Sequence, residues 1–124
     1  MTIHLDTSAL VGALADPRAS FDRLHTFVDE SHRMRLSTIV LYEWLRGPRT
    51  VSELRAQEEL FPRDQAVPFD SEAAAYAADL YARLPHPRGR DLDLAVAACA
   101  VVHEAALWTL NPGDFRDVPG LKLL

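Results

Sequence analysis

Polar and apolar side chains alternate at the start of the chain and then give way to helical spacing. Residues 2–5 read Thr, Ile, His and Leu, the period-two pattern of a β-strand with one apolar face. The apolar run over residues 9–14 predicts a short helix that ends at Asp16 and Pro17. The first strand therefore passes almost directly into a helix, with Asp6 at the junction.

The same periodicities predict the remaining elements. Further helices are expected over residues 20–32, 38–46, 50–60, 71–84 and 91–103. Further strands are expected over residues 34–37, 65–69, 106–109 and 120–124. Strands that alternate with helices indicate a mainly parallel sheet with helices on both faces. We expect a three-layer α/β/α fold, a mainly parallel central sheet of four to five strands, one domain over residues 1–124, and a helical clip or arm at about 38–60.

Composition adds limits to this picture. The chain has 124 residues, 48% of them hydrophobic, and a formal net charge of −5. A non-specific nucleic-acid binder is usually basic, although acids bound to metal ions would leave this surface nearly neutral. No apolar run predicts a membrane helix and no signal peptide is recognisable. The single cysteine, Cys99, lies in an apolar run, which predicts a small buried residue, and we expect a cytoplasmic protein.

Four carboxylates lie where a parallel sheet can bring them together. Asp6 follows the first strand, and Glu43 interrupts an apolar helical segment. Asp93 opens the most apolar helix, and Asp114 follows the strand at 106–109. Ligands of open α/β sheets bind beyond the carboxyl ends of the strands, and carboxylates that meet there need a cation. Without a zinc-type His/Cys cluster, the oxygen ligands predict Mg²⁺, with Mn²⁺ as the alternative.

Four motifs in this order resemble a PIN domain. They are Leu5-Asp6-Thr7-Ser8-Ala9-Leu10, Glu43 in a helix after a short strand, Asp93-Leu94-Ala95-Val96-Ala97-Ala98, and Thr109-Leu110-Asn111-Pro112-Gly113-Asp114-Phe115. Their order and the chain length are similar to the VapC-type toxins of bacterial toxin–antitoxin pairs. The resemblance implies a Mg²⁺-dependent endoribonuclease that leaves 5′-phosphate and 3′-hydroxyl ends. It also implies a homodimer and a small cognate antitoxin whose tail enters the active-site groove.

The resemblance also implies roles for particular residues. The catalytic, metal-binding acidic quartet is implied to be Asp6, Glu43, Asp93 and Asp114. The residues implied to orient these acids or the water are Ser8, Thr109 and Asn111. Metal ions held by such acids activate a water for attack on a phosphodiester and stabilise the leaving oxygen.

Some positions leave alternatives open. Asp91 lies two residues before Asp93, and the small residues after Asp93 favour it as the ligand, with Asp91 as a helix cap. Leu110 occupies a position where the family often has a basic residue, so one phosphate contact is missing there. Arg88 and Arg90, in the loop at 85–90, are expected either to contact RNA or to be merely solvated.

Each acid also has a plain structural interpretation. Asp6 is suited to capping the first helix, and Glu43 to a solvent-facing helix surface. Asp93 suits a helix start, and Asp114 suits an ordinary turn. Only their common placement at one edge of one sheet favours a site.

Two other functions fit parts of the pattern. A receiver-like signalling domain would use Asp70 as phosphate acceptor with Thr109 and Lys122, but it would leave Glu43 and Asp93 without a role. A catalytically silent PIN-like binding module would keep the fold without the chemistry. At least one of Tyr42 and Trp44 is expected in the core, and an exposed one would mark residues 38–60 as a partner-binding surface. Four histidines are scattered and predict no site: His4, His25, His32 and His103.

Overall fold

A computed structural model describes residues 1–15 and 17–124. Its strands are β1 (Thr2–Leu5), β2 (Arg33–Leu36) and β3 (Ala106–Trp108). Its helices are α1 (Thr7–Leu14), α2 (Phe21–Asp29), α3 (Thr38–Arg46), α4 (Val51–Leu60), α5 (Ser71–Arg83) and α6 (Asp91–Val102). Short 3₁₀ turns cover Arg63–Gln65 and Pro112–Asp114. Asp16, expected at the end of the first helix, lies outside the described residues.

The sheet is parallel and has the order β2-β1-β3. The strands expected at 65–69 and 120–124 contribute only single parallel bridges, from Val67 to Ser37 and from Leu123 to Leu107. The described residues thus form three strands rather than four to five. Pro68 has no N–H to continue a ladder beyond Val67, and residues 63–65 form a 3₁₀ turn instead. The α/β expectation holds, because helices flank a parallel sheet.

Helix boundaries follow local capping chemistry. Thr50 begins α4 with a capping box, in which its side chain and that of Glu53 each accept a backbone N–H of the other residue. Asp70 caps α5 by accepting the N–H of Ala73 at 3.0 Å. Gly47 ends α3 as predicted, ahead of Pro48. The sequence therefore sets where these helices start and stop.

The centre of the core is α6. Its residues from Leu94 to Ala100 are all buried, and it packs against α5, α3 and β3. Small side chains along this helix permit close approach to the sheet. Cys99 is fully buried as predicted, and burial raises the pKa of its thiol to about 11. Within the described residues, no helix is both long and apolar enough to cross a lipid bilayer.

The helix that carries Glu43 is anchored by its buried face. Val40 and Trp44 of α3 are both 0% exposed, and α3 packs against α1 and α6. Tyr42 on the same helix is 55% exposed, so one of the two aromatic residues is core and the other is not. The buried Trp44 therefore anchors the helix that carries the neighbouring Glu43.

Candidate active site

Asp6 is the most constrained acid in the site. It is 6% exposed and serves as the N-cap of α1, accepting the N–H of Ala9 through Oδ1 at 2.9 Å. Ser8 Oγ donates to the same oxygen at 2.7 Å, and Thr109 Oγ1 donates to Oδ2 at 2.5 Å. Three donors therefore fix the orientation of this carboxylate. The structure confirms that Asp6 caps α1, and its role in an acidic site stays a prediction.

The hydroxyl partners of Asp6 join the ends of β1 and β3. The N–H of Asp6 donates to the carbonyl of Trp108 at 3.0 Å, which continues the strand pairing by one residue. Ser8 Oγ accepts the N–H of Leu110 at 3.0 Å, and Thr109 Oγ1 accepts the N–H of Asn111 at 2.9 Å. Ser8 and Thr109 thus both donate to Asp6 and link it to the segment after β3. The side chain of Asn111 lies at the exposed end of this network.

Glu43 enters the site from α3. Thr7 Oγ1 donates to Glu43 Oε1 at 2.7 Å, which links the start of α1 to the second half of α3. Arg46 Nη2 lies 3.7 Å from Glu43 Oε2, an i,i+3 contact along one helix. The side chain of Glu43 is 18% exposed, so it is not the solvent-facing residue of the plain interpretation. The motif analysis missed Arg46, although its helical spacing from Glu43 was a readable signal.

The pKa of Asp93 responds to the charges of the other acids. It is half-buried in the first turn of α6. Burial raises the pKa of its carboxyl, and the negative charges of Asp114, Glu43 and Asp6 raise that pKa further. Arg90 acts in the opposite direction. The structure therefore brings Asp6, Glu43 and Asp114 within electrostatic reach of Asp93.

Asp91 is not the cap that the sequence analysis expected. Arg90 is the N-cap of α6, without a side-chain capping bond, and Asp91 is the exposed first residue of the helix. A residue already inside the first turn cannot place its carboxylate on the free N–H groups as an N-cap does. Asp91 still lines the cleft next to Asp93.

Asp114 is carried by the turn at Pro112–Asp114 and is exposed. Arg90 holds this segment. It forms a bidentate ion pair with Asp117, at 2.8 and 2.7 Å, and donates to the carbonyl of Asp114 at 2.9 Å. Hydrogen bonding to Asp117 raises the pKa of Arg90, and the same contact lowers the pKa of Asp117. Most donors of Arg90 are thus engaged within the protein, while Arg88 is exposed and its RNA contact stays a prediction.

Two of the four acids, Glu43 and Asp93, border an open cleft of about 340 Å³, which Gly89, Asp91 and Leu92 also line. Within residues 1–15 and 17–124, no three His, Cys, Asp or Glu side chains are arranged as a ready-made metal site. Mg²⁺ commonly binds proteins through one or two carboxylates and keeps several waters, so it does not need such a cage. The donor set, which consists of carboxylates and hydroxyls, fits a hard divalent cation.

The family comparison is unambiguous. The model of the PIN domain matches residues 3–121, nearly the whole chain. The chain belongs to the PIN domain family, which confirms the expected resemblance. A comparison with curated proteins gives no significant match.

Several solved structures share the fold. VapBC2 from Rickettsia felis, bound to a DNA fragment from its promoter, has 23% identity and a TM-score of 0.79, over 100% of this chain and 98% of that chain. DNA-bound VapBC from Salmonella typhimurium has 23% identity and a TM-score of 0.78, over 100% of this chain and 97% of that chain. VapBC-5 from Mycobacterium tuberculosis, a member of the VapBC family of toxin–antitoxin systems, has 21% identity and a TM-score of 0.67, over 99% of this chain and 97% of that chain. At these identities the likeness is one of fold.

The receiver-like alternative does not fit this architecture. Asp70, its expected phosphate acceptor, caps α5 and lies 3.9 Å from His103, and it is not among the acids whose charges raise the pKa of Asp93. The family match also covers the chain with a different domain type. The remaining alternative, a catalytically silent PIN domain, is a question of activity.

Proposed function

We propose that this protein is a divalent-metal-dependent endoribonuclease, the toxin of a toxin–antitoxin pair, that cleaves RNA phosphodiesters. The observation that carries the proposal is the position of Asp93. Its carboxyl experiences the charges of Asp6, Glu43 and Asp114 at the carboxyl edge of a parallel sheet. A protein gains nothing in stability from such like-charge crowding, and perturbed acids in a cleft are a mark of functional sites.

The acidic quartet would hold Mg²⁺, or Mn²⁺ in its place. Asp6 and Asp93 would be the main ligands, with Glu43 and Asp114 on a second ion or on bound waters. A cation held there would lower the pKa of a bound water and neutralise charge on the phosphodiester.

The chain's own residues prepare the site for that ion. Ser8 and Thr109 each donate a hydrogen bond to Asp6 and so fix the direction of its carboxylate. Thr7 holds Glu43 through one oxygen and leaves the other toward Arg46. Arg90 fixes the backbone of the turn that carries Asp114. Because these acids are oriented before substrate arrives, little reorganisation is required on binding.

An antitoxin is the proposed partner. Several of the solved structures that share this fold are toxin–antitoxin complexes. Tyr42 and Leu45 of α3 are 55% and 38% exposed and lie beside Glu43 in sequence, so a partner on α3 would reach the cleft. We propose a small antitoxin that blocks the cleft, a homodimeric toxin and a cytoplasmic location.

Cleavage of a structured RNA by the purified chain tests the proposed activity. We expect cleavage with Mg²⁺ or Mn²⁺, none with EDTA, and a loss of about a hundredfold or more for Asp6→Asn and Asp93→Asn, since metal ions contribute several kcal/mol to such transition states. Asp79→Asn, on the exposed face of α5, is the matched control and should keep full activity.

Metal binding is measured separately by titration calorimetry with Mn²⁺. If the wild type binds Mn²⁺ and Asp93→Asn weakens that binding, the result supports a metal-binding role of the quartet without any use of RNA. Binding without cleavage of any RNA would identify the catalytically silent module. Equal cleavage with EDTA and in Asp6→Asn would contradict the proposed mechanism.

A further inference from the structure

One face of the sheet carries polar and basic side chains between β1 and β2. The parallel register places Thr2 beside Arg33 and His4 beside Arg35. Residues at i and i+2 of a strand share a face, so these side chains form a two-by-two patch. Parallel strands usually carry apolar side chains on both faces. Packing alone therefore does not account for this patch.

The patch opens into a cleft of about 310 Å³, whose other walls include Val67, Pro68 and His103. Its volume lies at the lower end of the range for small-molecule sites. Thr2 and Arg33 begin their strands, so the cleft extends toward the amino ends of the sheet. The acidic site follows the carboxyl ends, and the two clefts share no lining residue.

Buried polar atoms without a partner converge on this cleft. His4 is 1% exposed, and its Nδ1 makes no hydrogen bond within the described part of the chain. The same holds for Arg35 Nε and for His103 Nε2. Arg35 is held in place by its Nη2, which donates to the carbonyl of Gln65 at 3.0 Å. Buried polar groups in native proteins are nearly always satisfied, so three together indicate a ligand.

The charge around the cleft is positive. Among the described residues, no carboxylate lies within 4.0 Å of the guanidinium of Arg33 or Arg35. Asp70, at the start of α5, is not a lining residue of the cleft, but its Oδ2 lies 3.9 Å from His103 Nε2 while its Oδ1 caps the helix. Two guanidinium groups therefore outnumber the neighbouring acid, which favours an anion.

We propose that this cleft binds a phosphate group, with Arg33 and Arg35 contacting its oxygens and the buried His4 donating from Nδ1. Guanidinium groups match phosphate geometry through paired N–H donors. The neutral imidazole has a tautomer with its proton on Nδ1. Inorganic phosphate and the phosphate of a nucleotide offer the same chemistry, and the cleft volume admits either. This site does not depend on the proposed nuclease activity.

Titration calorimetry of the full chain in EDTA, with inorganic phosphate and separately with adenosine monophosphate, tests the proposal. EDTA removes metal-mediated binding at the acidic site. We expect saturable binding that weakens about tenfold or more in Arg33→Gln and in Arg35→Gln, because each loses a charge-assisted hydrogen bond. Tighter binding of the nucleotide would identify a nucleotide site, and equal binding a site for the phosphate group alone.

Arg83→Gln is the matched control. It removes the same charge from the far end of α5, about 20 Å along the helix from Asp70. It should bind phosphate like the wild type. Arg33 is exposed, so Arg33→Gln should keep the melting temperature of the wild type and carries the test even if Arg35→Gln unfolds.

The imidazole resonances locate the ligand. We expect phosphate to shift the ring nitrogen signals of His4 and His103 and not those of the exposed His25. The proposal is overturned by the absence of saturable phosphate binding, by equal weakening in Arg83→Gln, or by binding that leaves the His4 signals unmoved.

Discussion

Arg90 and Asp117 form a bidentate ion pair, with Nη1 to Oδ2 at 2.8 Å and Nη2 to Oδ1 at 2.7 Å, next to the turn that carries Asp114. The same guanidinium donates to the carbonyl of Asp114 at 2.9 Å. One side chain therefore ties the start of α6, which carries Asp93, to the segment that carries Asp114. This gives Arg90 a positioning role in the proposed site.

Arg90→Gln should lower RNA cleavage about tenfold or more, because small displacements of catalytic groups are costly. The free energy of unfolding should fall by only about 1 kcal/mol or less, as is usual for partly exposed ion pairs. Cleavage rates and urea unfolding measure the two effects. Arg83→Gln, which breaks the exposed pair with Asp79, should change neither by much. Equal RNA cleavage by Arg90→Gln and Arg83→Gln would contradict the positioning role of Arg90.

Thr109 offers a second test of orientation, because its hydroxyl donates to Asp6 while its own oxygen accepts the N–H of Asn111. Thr109→Val keeps the shape but leaves Asp6 Oδ2 without this donor. We expect Mn²⁺ affinity or RNA cleavage to fall about 10- to 100-fold, the usual effect of losing a group that orients a metal ligand. Calorimetry and cleavage assays measure both.

Thr109→Ser is the control, because it restores the hydroxyl. It should recover most of what Thr109→Val loses. Unchanged Mn²⁺ affinity and unchanged cleavage in Thr109→Val would mean that Asp6 does not rely on this contact.

Local signals in the sequence predicted more of the helices than of the sheet. The caps at Thr50 and Asp70 and the stop at Gly47 act within a few residues, so they can be read directly. Whether residues 65–69 form a strand depends on a distant ladder partner, and only Val67 finds one. Sheet edges are therefore harder to predict than helix ends.

The candidate site shows the same division. The positions of the acids after strands and at helix starts were readable, since parallel strands share one carboxyl edge. The hydrogen bond from Thr109 to Asp6 spans 103 residues, and the pairing of Arg90 with Asp117 depends on a turn. The pairing of His4 with Arg35 needed the strand register. Such contacts exist only once the tertiary structure has formed.

Trp44 and Tyr42 lie on the same helix, but their replacement by alanine should affect the free energy of unfolding very differently. Trp44 is fully buried, with the guanidinium of Arg49 4.1 Å from its ring centroid. Trp44→Ala should lower the free energy of unfolding by about 3–5 kcal/mol, as for other large core truncations. Tyr42→Ala should change it by about 0.5 kcal/mol or less, because the side chain is exposed. Urea unfolding distinguishes them, and a similar loss in both would contradict this placement of α3.

His4 should make stability sensitive to acid. Burial lowers its pKa from 6.5 to about 4, and the positive charges of His103 and Arg35 contribute. Below pH 6.5 the unfolded chain therefore binds a proton that the folded chain refuses, and stability is lost as pH falls toward 4. The loss from this group should be about 3 kcal/mol. Urea unfolding should show a smaller acid-induced loss of stability in His4→Gln and the full loss in His25→Gln. A full loss in His4→Gln would contradict the assignment to His4.

In metal-free protein, ionisation of Asp93 should make stability fall as pH rises, which is the opposite of the effect of His4. Its folded pKa is raised by burial and by three neighbouring acids, so the folded chain holds this proton more tightly than the unfolded chain. Stability in EDTA should therefore fall as pH rises through the folded pKa, and Asp93→Asn should be more stable than the wild type at pH 7. Mg²⁺ should reverse that order by binding the folded wild type. Urea unfolding with EDTA and with Mg²⁺ measures both, with Asp79→Asn as control. A less stable Asp93→Asn in EDTA would mean that the acids do not repel one another.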